Sequence, residues 1–160
     1  MLYNERNSKQ QGGIGMTIRN LDSHEYDEAI EIVWNSFMET EAEFYSEDGI
    51  KQFHRIISDR NWIESLEIYG AFVGDILIGI IATGDCGKHI ALFFVSPKFQ
   101  RHGVGRQLFN HMKDSSGCNE YTVNSSHYAR DIYRKLGFKD TDSEQNDDGI
   151  IYTPMMLKCA

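Results

Sequence analysis

The sequence predicts a single α/β domain built on a mixed, mostly antiparallel central sheet, and three observations predict it. A chain of 160 residues with 41% hydrophobic content can bury one sizeable core but is short for two. Short β-rich runs alternate with segments of helical apolar spacing in the order β-α-α-β-β-β-α-β-α-β-β. The longest apolar run, residues 76–82, is far below the roughly 18 residues that span a bilayer, so no membrane association is expected.

Taken in order, residues 1–15 are polar and glycine-bearing and read as an extension outside the fold, leaving 16–160 as the domain. They lack the apolar core of roughly 7 to 15 residues that a secretory signal requires. Met16 to Asn20 reads as a first strand. Asp22 or Ser23 can then cap a helix with Tyr26, Ala29, Ile30, Val33, Trp34 and Phe37 at helical spacing. A second helix begins near Ser46 to Gly49, with Ile50, Phe53, His54 and Ile57 on one face and Trp62 and Leu66 as a short continuation. Glu67 to Gly74 and Ile76 to Thr83 read as an antiparallel hairpin turning at Gly74-Asp75. His89 to Val95 is the next strand, followed by a helix that carries Val104, Leu108 and Met112 on one face and ends at Gly117. Tyr121 to Asn124 leads into a helix with Ala129, Ile132, Tyr133 and Leu136. Phe138 to Thr141 then pairs with Ile150 to Leu157 across a polar loop. Helices are expected on both faces of the sheet.

The most informative stretch lies between the fourth strand and its helix: Val95, Ser96, Pro97, Lys98, Phe99, Gln100, Arg101, His102, Gly103, Val104, Gly105 and Arg106. Gly103 and Gly105 permit positive φ or close backbone approach, and the unpaired N–H groups of the next helical turn supply donors and positive dipole. Such a loop suits a pyrophosphate. Residues 86–113 contain no Asp or Glu but carry Lys88, Lys98, Arg101, Arg106 and Lys113, in a chain of net charge −8. Arg101 and Arg106, inside the loop and helix start, read as ligand contacts, whereas Lys88 and Lys113 read as solvated surface. The loop lacks the Gly-Lys-Ser/Thr of a Walker motif and the βαβ context of a dinucleotide fold.

The spacing Gln100-x-x-Gly103-x-Gly105 after a strand resembles the Q/R-x-x-G-x-G/A signature of the GCN5-related N-acetyltransferase (GNAT) superfamily, which binds acetyl-CoA. A second stretch, Tyr121 through Asn124 and Ser126 to Ala129-x-x-x-Tyr133-x-x-x-Gly137-Phe138, resembles that family's later strand and helix. The resemblance covers roughly residues 16–157 and implies a splayed strand pair into which pantetheine inserts. It implies that backbone groups around Phe94 and Val95 bind the cofactor, with Gln100, Arg101, His102, Gly103, Val104, Gly105 and Arg106 around its phosphates. Asn124 and Ser126 become partners for the pantetheine amides, although both are equally ordinary helix caps.

The resemblance also implies that Tyr133 is the general acid for the departing thiolate, since a phenol stays protonated at neutral pH. By its position beside Ala129, Ile132 and Leu136 alone it would be a core tyrosine. No residue is assigned as general base. Glu39, Glu41, Glu43, Glu47 and Asp48 form an acidic stretch between the first two helices, which reads as a solvated loop or as a surface favouring a cationic amine.

Cys86, Cys118 and Cys159 make no C-x-x-C pair, and the six histidines form no ligand array, so no disulfide framework and no metal are expected and a reducing cytoplasm is the default. The acidic balance argues against nucleic acid as a partner. The resemblance thus implies an acetyl-CoA-dependent N-acetyltransferase acting by direct transfer on a small-molecule or peptide amine, with a homodimer compatible. The alternatives are a catalytically silent CoA-binding sensor and, less favoured, a simple nucleotide-binding domain.

Overall fold

A computed structural model of the chain describes residues 15–159, so the expected extension lies, Gly15 apart, outside the described residues. Its strands are β1 (Thr17–Asn20), β2 (Glu67–Val73), β3 (Ile76–Gly84), β4 (His89–Val95), β5 (Glu120–Ser125), β6 (Lys139–Asp140), β7 (Gln145–Asp147) and β8 (Ile150–Lys158). Its helices are α1 (Tyr26–Thr40), α2 (Glu47–Ser58), α3 (Arg60–Glu64), α4 (Val104–Ser116) and α5 (Arg130–Lys135). The sheet runs β1-β2-β3-β4-β5-β8-β6, with β7 paired to β8. Every pairing is antiparallel except β4 with β5.

Two apolar layers cover the faces of this sheet. One gathers Val104, Leu108 and Met112 of α4 with Tyr133 of α5 against Tyr69, Ile78, Ile90 and Val123. The other gathers Ala29 and Val33 of α1, Ile57 of α2 and Ile63 of α3 against Ile68, Ile80 and Leu92. β2 and β3 are therefore buried on both sides, which is why their sequences are nearly continuous apolar runs.

Local chemistry sets the element ends. Asp22 opens a short 3₁₀ turn at Ser23–Glu25 in which Asp22 N donates to Glu25 Oε1 at 2.9 Å, and α1 follows. Ser46 caps α2, its hydroxyl accepting from Gly49 N at 3.1 Å. The expected continuation at Trp62 is a separate helix, because Asp59 leaves helical geometry and its carboxylate caps α3 by accepting from Trp62 N. Gly117, at φ +63°, closes α4 as the sequence predicts. Ile132, expected on a core-facing stripe, is instead 48% exposed, because α5 is one and a half turns long and this side faces the cleft described below. The polar loop between β6 and β8 holds β7, whose Gln-Asn-Asp sequence gives no apolar alternation to reveal it.

The β7–β8 turn is fixed to α2 by glycine. Gly149 has φ +88°, and a Cβ there would lie 2.7 Å from Gly49 Cα; a Cβ on Gly49 would lie 2.4 Å from Gly149 O. Backbone thus packs directly on backbone where the β7–β8 turn meets the start of α2. Gly149→Ala combines left-handed strain with a clash that no side-chain movement relieves, so a loss on the order of 2–4 kcal/mol is expected. Thermal denaturation tests it, and an unchanged Tm would contradict the packing.

Candidate functional site

The site begins where the single parallel ladder fails. β4 and β5 pair at His89 with Thr122 and at Ile90 with Val123, and no further. Beyond this point β5 stays with β8, Asn124 opposite Pro154 and Ser125 opposite Thr153. β4 stays with β3 as far as Val95 opposite Gly79. The strands diverge, so the β5-facing edge of β4 from Ala91 to Val95 borders an open gap.

Two cavities meet at this gap. The first, of about 520 Å³, is bordered by Phe93 to Val95, the glycine loop and α5. The second, of about 780 Å³, lies beneath α1 and α2 and reaches β5 and the β7–β8 hairpin. Glu41, Phe93, Phe94, Ala129 and Tyr133 line both.

The first cavity has the features of an anion cradle. After Gln100, Arg101 takes φ +66° and Gly103 φ +80°, and Gly103 caps the thirteen-residue helix α4. The amides at the start of that helix have no partner four residues back, so they and the helix dipole face the cavity. Gly105 lies against the Phe93 ring, where a Cβ would stand in ordinary contact at 3.5 Å. Arg101, Arg106 and Lys135 bring positive charge to the lining.

Gln100 has a bracing part. Its Nε2 donates to Val95 O at 3.0 Å, and its Oε1 accepts from Tyr128 O–H at 3.2 Å. The side chain therefore ties the loop to the end of β4 and spans to the segment before α5.

The sequence-predicted residues divide between the cavities. Phe94, Val95, Gln100, Arg101, Gly103, Val104, Gly105 and Arg106 line the first. His102 is exposed and lies outside both linings. Asn124 and Ser126 line the second cavity rather than the first, because β5 swings away with β8. Ser126 is the cap the sequence allows, its hydroxyl accepting from Ala129 N at 3.1 Å. Tyr128 does border the first cavity, while Lys88 and Lys113 border neither.

Tyr133 reconciles the two readings of its position. It is buried at 5% exposure, with its ring edge-on to Phe93 at 6.0 Å and to Phe138 at 5.4 Å, yet it lines both cavities at their junction. Burial, with the negative charge of Glu41 second, pushes its phenol well above the ordinary value, so it remains protonated throughout the physiological range.

Two residues that sequence reasoning did not single out stand at the site. Lys135 is one. Glu41 is the other: of the acidic stretch it alone is buried, at 6% exposure, and burial raises its carboxyl to about 7, with the Ser126 hydroxyl pulling the other way. The signal was one glutamate among five acids. Only the turn that ends α1, where Glu41 N donates to Phe37 O at 2.9 Å, swings this one inward.

Among the described residues, no helix is long and apolar enough to cross a membrane. Among the described residues, one group of potential metal ligands, Asp22, His24 and Glu25, lies outside both linings, and Glu25 is already held by Arg19 at 2.8 Å.

Comparison with known proteins agrees with this architecture. The fold superposes on a GCN5-related N-acetyltransferase from Rhodopseudomonas palustris with a TM-score of 0.79 at 17% identity, over 89% of this chain and 94% of that one. It superposes on PaiA N-acetyltransferase from Thermoplasma acidophilum, solved in complex with coenzyme A, with a TM-score of 0.72 at 23% identity, over 89% and 98%. YjaB from Escherichia coli gives 0.72 at 23% identity, over 91% and 99%. No curated protein matches the chain by sequence. The acetyltransferase (GNAT) domain family matches residues 41–159, from the buried glutamate to the end of the last strand, and with this span, this split sheet and this glycine loop the chain belongs to the GNAT acetyltransferase family.

Proposed function

We propose that this protein transfers the acetyl group of acetyl-CoA directly to a primary amine. The observation that carries the reading is the junction of two cavities of opposite chemistry at the parting of β4 and β5, with a buried phenol and a buried carboxyl on its walls.

The first cavity fits CoA by its own features: a left-handed loop opening a long helix, three cations, and a free strand edge. Charge-assisted contacts from Arg101, Arg106 and Lys135, with the first amides of α4, would hold the phosphates. The free edge of β4 around Phe93 and Phe94 offers backbone groups to the pantetheine arm and to the oxyanion that develops during transfer. Gln100, already committed to Val95 O and Tyr128, holds that cradle in shape rather than contributing charge.

CoA, when bound, supplies an activated acyl group with a good leaving thiolate. With both substrates in place, the apolar side chains of Phe93, Phe94 and Ala129 would leave water little room at the junction, so the thioester meets the amine in preference to hydrolysis. Tyr133 stands there protonated, and a thiolate in this dry setting is a stronger base than in water, so the phenol can deliver its proton to sulfur.

The test of the reading is thiol release from acetyl-CoA in the presence of an amine panel, with calorimetric CoA binding alongside. Turnover that depends on both substrates, with an acetylated amine as product, is expected; CoA binding without turnover would leave a sensor, and no CoA binding would refute the proposal. Within it, Arg101→Ala and Arg106→Ala should each weaken CoA binding by about tenfold with kcat little changed, and wild-type affinity should fall as salt rises. Salt-independent affinity would place the phosphates elsewhere.

A further inference from the structure

The second cavity narrows the acceptor beyond "primary amine", an inference that rests on the acetyl-transfer reading above. Its wall is a continuous aromatic array: Phe37 stacks on Phe53 at 4.1 Å and tilts against Tyr45 at 5.1 Å, and Phe53 reaches Phe94 at 6.2 Å. The array ends at the junction, because Phe94 lines both cavities. An apolar or aromatic body is the complement of such a wall.

The charges are as one-sided. Glu41, Asp85 and Asp147 line this cavity, and among the described residues no lysine or arginine does. His89 is in contact with Thr122 Oγ1 at 2.8 Å, and burial pushes its imidazole below the ordinary value, against the pull of Asp85. Asp85 and Asp147 are exposed, whereas Glu41 is buried at the inner end. A ligand carboxylate or phosphate would shed water here with no cation to receive it, and would pass two carboxylates on entering. Further ammonium groups would meet Asp85 and Asp147, so the lining selects against negative charge and not against a second positive one.

We propose that the second cavity takes a cationic amine with an aromatic or extended apolar body and no anionic group, and brings its nitrogen to Glu41, which accepts the ammonium proton. The lone pair so exposed forms the C–N bond at the thioester carbonyl carbon, and the C–S bond breaks with its electrons on sulfur. The thiolate takes the Tyr133 proton, Tyr133 recovers one from the newly acylated nitrogen, and Glu41 releases its proton to water. Two groups face the Glu41 carboxyl besides Ser126, namely the phenols of Tyr45 and Tyr133, both of which feel its charge. Neither supplies a positive charge that would keep Glu41 ionised, so its proton is available for exchange near neutrality.

Three probes test this: 2-phenylethylamine, L-phenylalaninamide and L-phenylalanine, each assayed for thiol release and acetylated product. The amide and the amino acid share a skeleton and differ in the carboxylate. The first two should exceed phenylalanine in kcat/KM by at least about tenfold, the scale on which a site rejects an unpaired charge. Glu41→Gln should lower kcat on 2-phenylethylamine by about a hundredfold or more and abolish its rise with pH near 7, with partial recovery in Glu41→Asp and CoA binding retained in both. Phenylalanine turned over as well as the two uncharged-body amines, or an unaltered Glu41→Gln pH profile, would each overturn the inference and leave the acetyl-CoA reading standing. CoA binding with none of the three turned over would also overturn the inference, and turnover of another amine from the wider panel would then keep the acetyl-CoA reading apart from a sensor. Loss of CoA binding by the wild type would overturn that reading itself.

Discussion

Tyr133→Phe should lower kcat by about a hundredfold or more while leaving CoA affinity within about twofold, the scale on which a positioned proton donor contributes. The substitution removes one oxygen and keeps the ring, so the edge-on contacts with Phe93 and Phe138 survive. A phenol that merely packed would lose little, and the variant would gain stability by no longer burying a hydroxyl. Steady-state kinetics with an amine acceptor, paired with CoA calorimetry, separates the outcomes. The loss should also shrink for an acyl thioester whose leaving thiol is more acidic, since that thiol departs without help from a proton donor. A Tyr133→Phe enzyme with undiminished kcat would remove the residue from the chemistry.

The other large effect concerns Glu41, where catalysis and stability oppose one another. Its carboxyl is raised from 4.5 in the unfolded chain to about 7 in the fold, chiefly by burial. The native state therefore binds the proton more tightly than the unfolded chain. Stability from this group is fully present below about pH 4.5, falls as pH rises through the interval, and is lost above about 7. At about 1.4 kcal/mol per pH unit, the ionised carboxyl costs on the order of 3 kcal/mol at pH 8. Glu41→Gln should thus raise Tm by several degrees at pH 8 and by little at pH 4.5, even as it lowers turnover. Denaturation at the two pH values tests the sign, and equal shifts at both would show that burial does not disfavour the charge.

The fold was legible in the sequence because its signals are local. Gly74, Gly117 and the run Gln100 to Gly105 report backbone geometry directly, and the paired-face burial of β2 and β3 shows as unbroken apolar sequence. The first cavity was legible for the same reason: one loop and one helix start supply most of it. The acceptor side was not. Glu41 looks like its neighbours Glu39 and Glu43 until the end of α1 turns it inward, and Lys135 looks like any exposed lysine until α5 lies along the cleft. Asn124 and Ser126 were assigned to the cofactor from their place in the motif, yet the divergence of β5 with β8 puts them on the opposite cavity. Sheet pairing over a long sequence distance decides that, and no local spacing encodes it.

The most direct measurement of the central claim is an amide chemical-shift titration of the isotopically labelled protein with CoA. The account predicts the largest perturbations at Phe93 to Val95 along the free edge of β4 and at Arg101 to Arg106 around the start of α4, with smaller ones near Tyr133. Saturable binding whose shifts fall elsewhere, or no shifts with CoA, would contradict it.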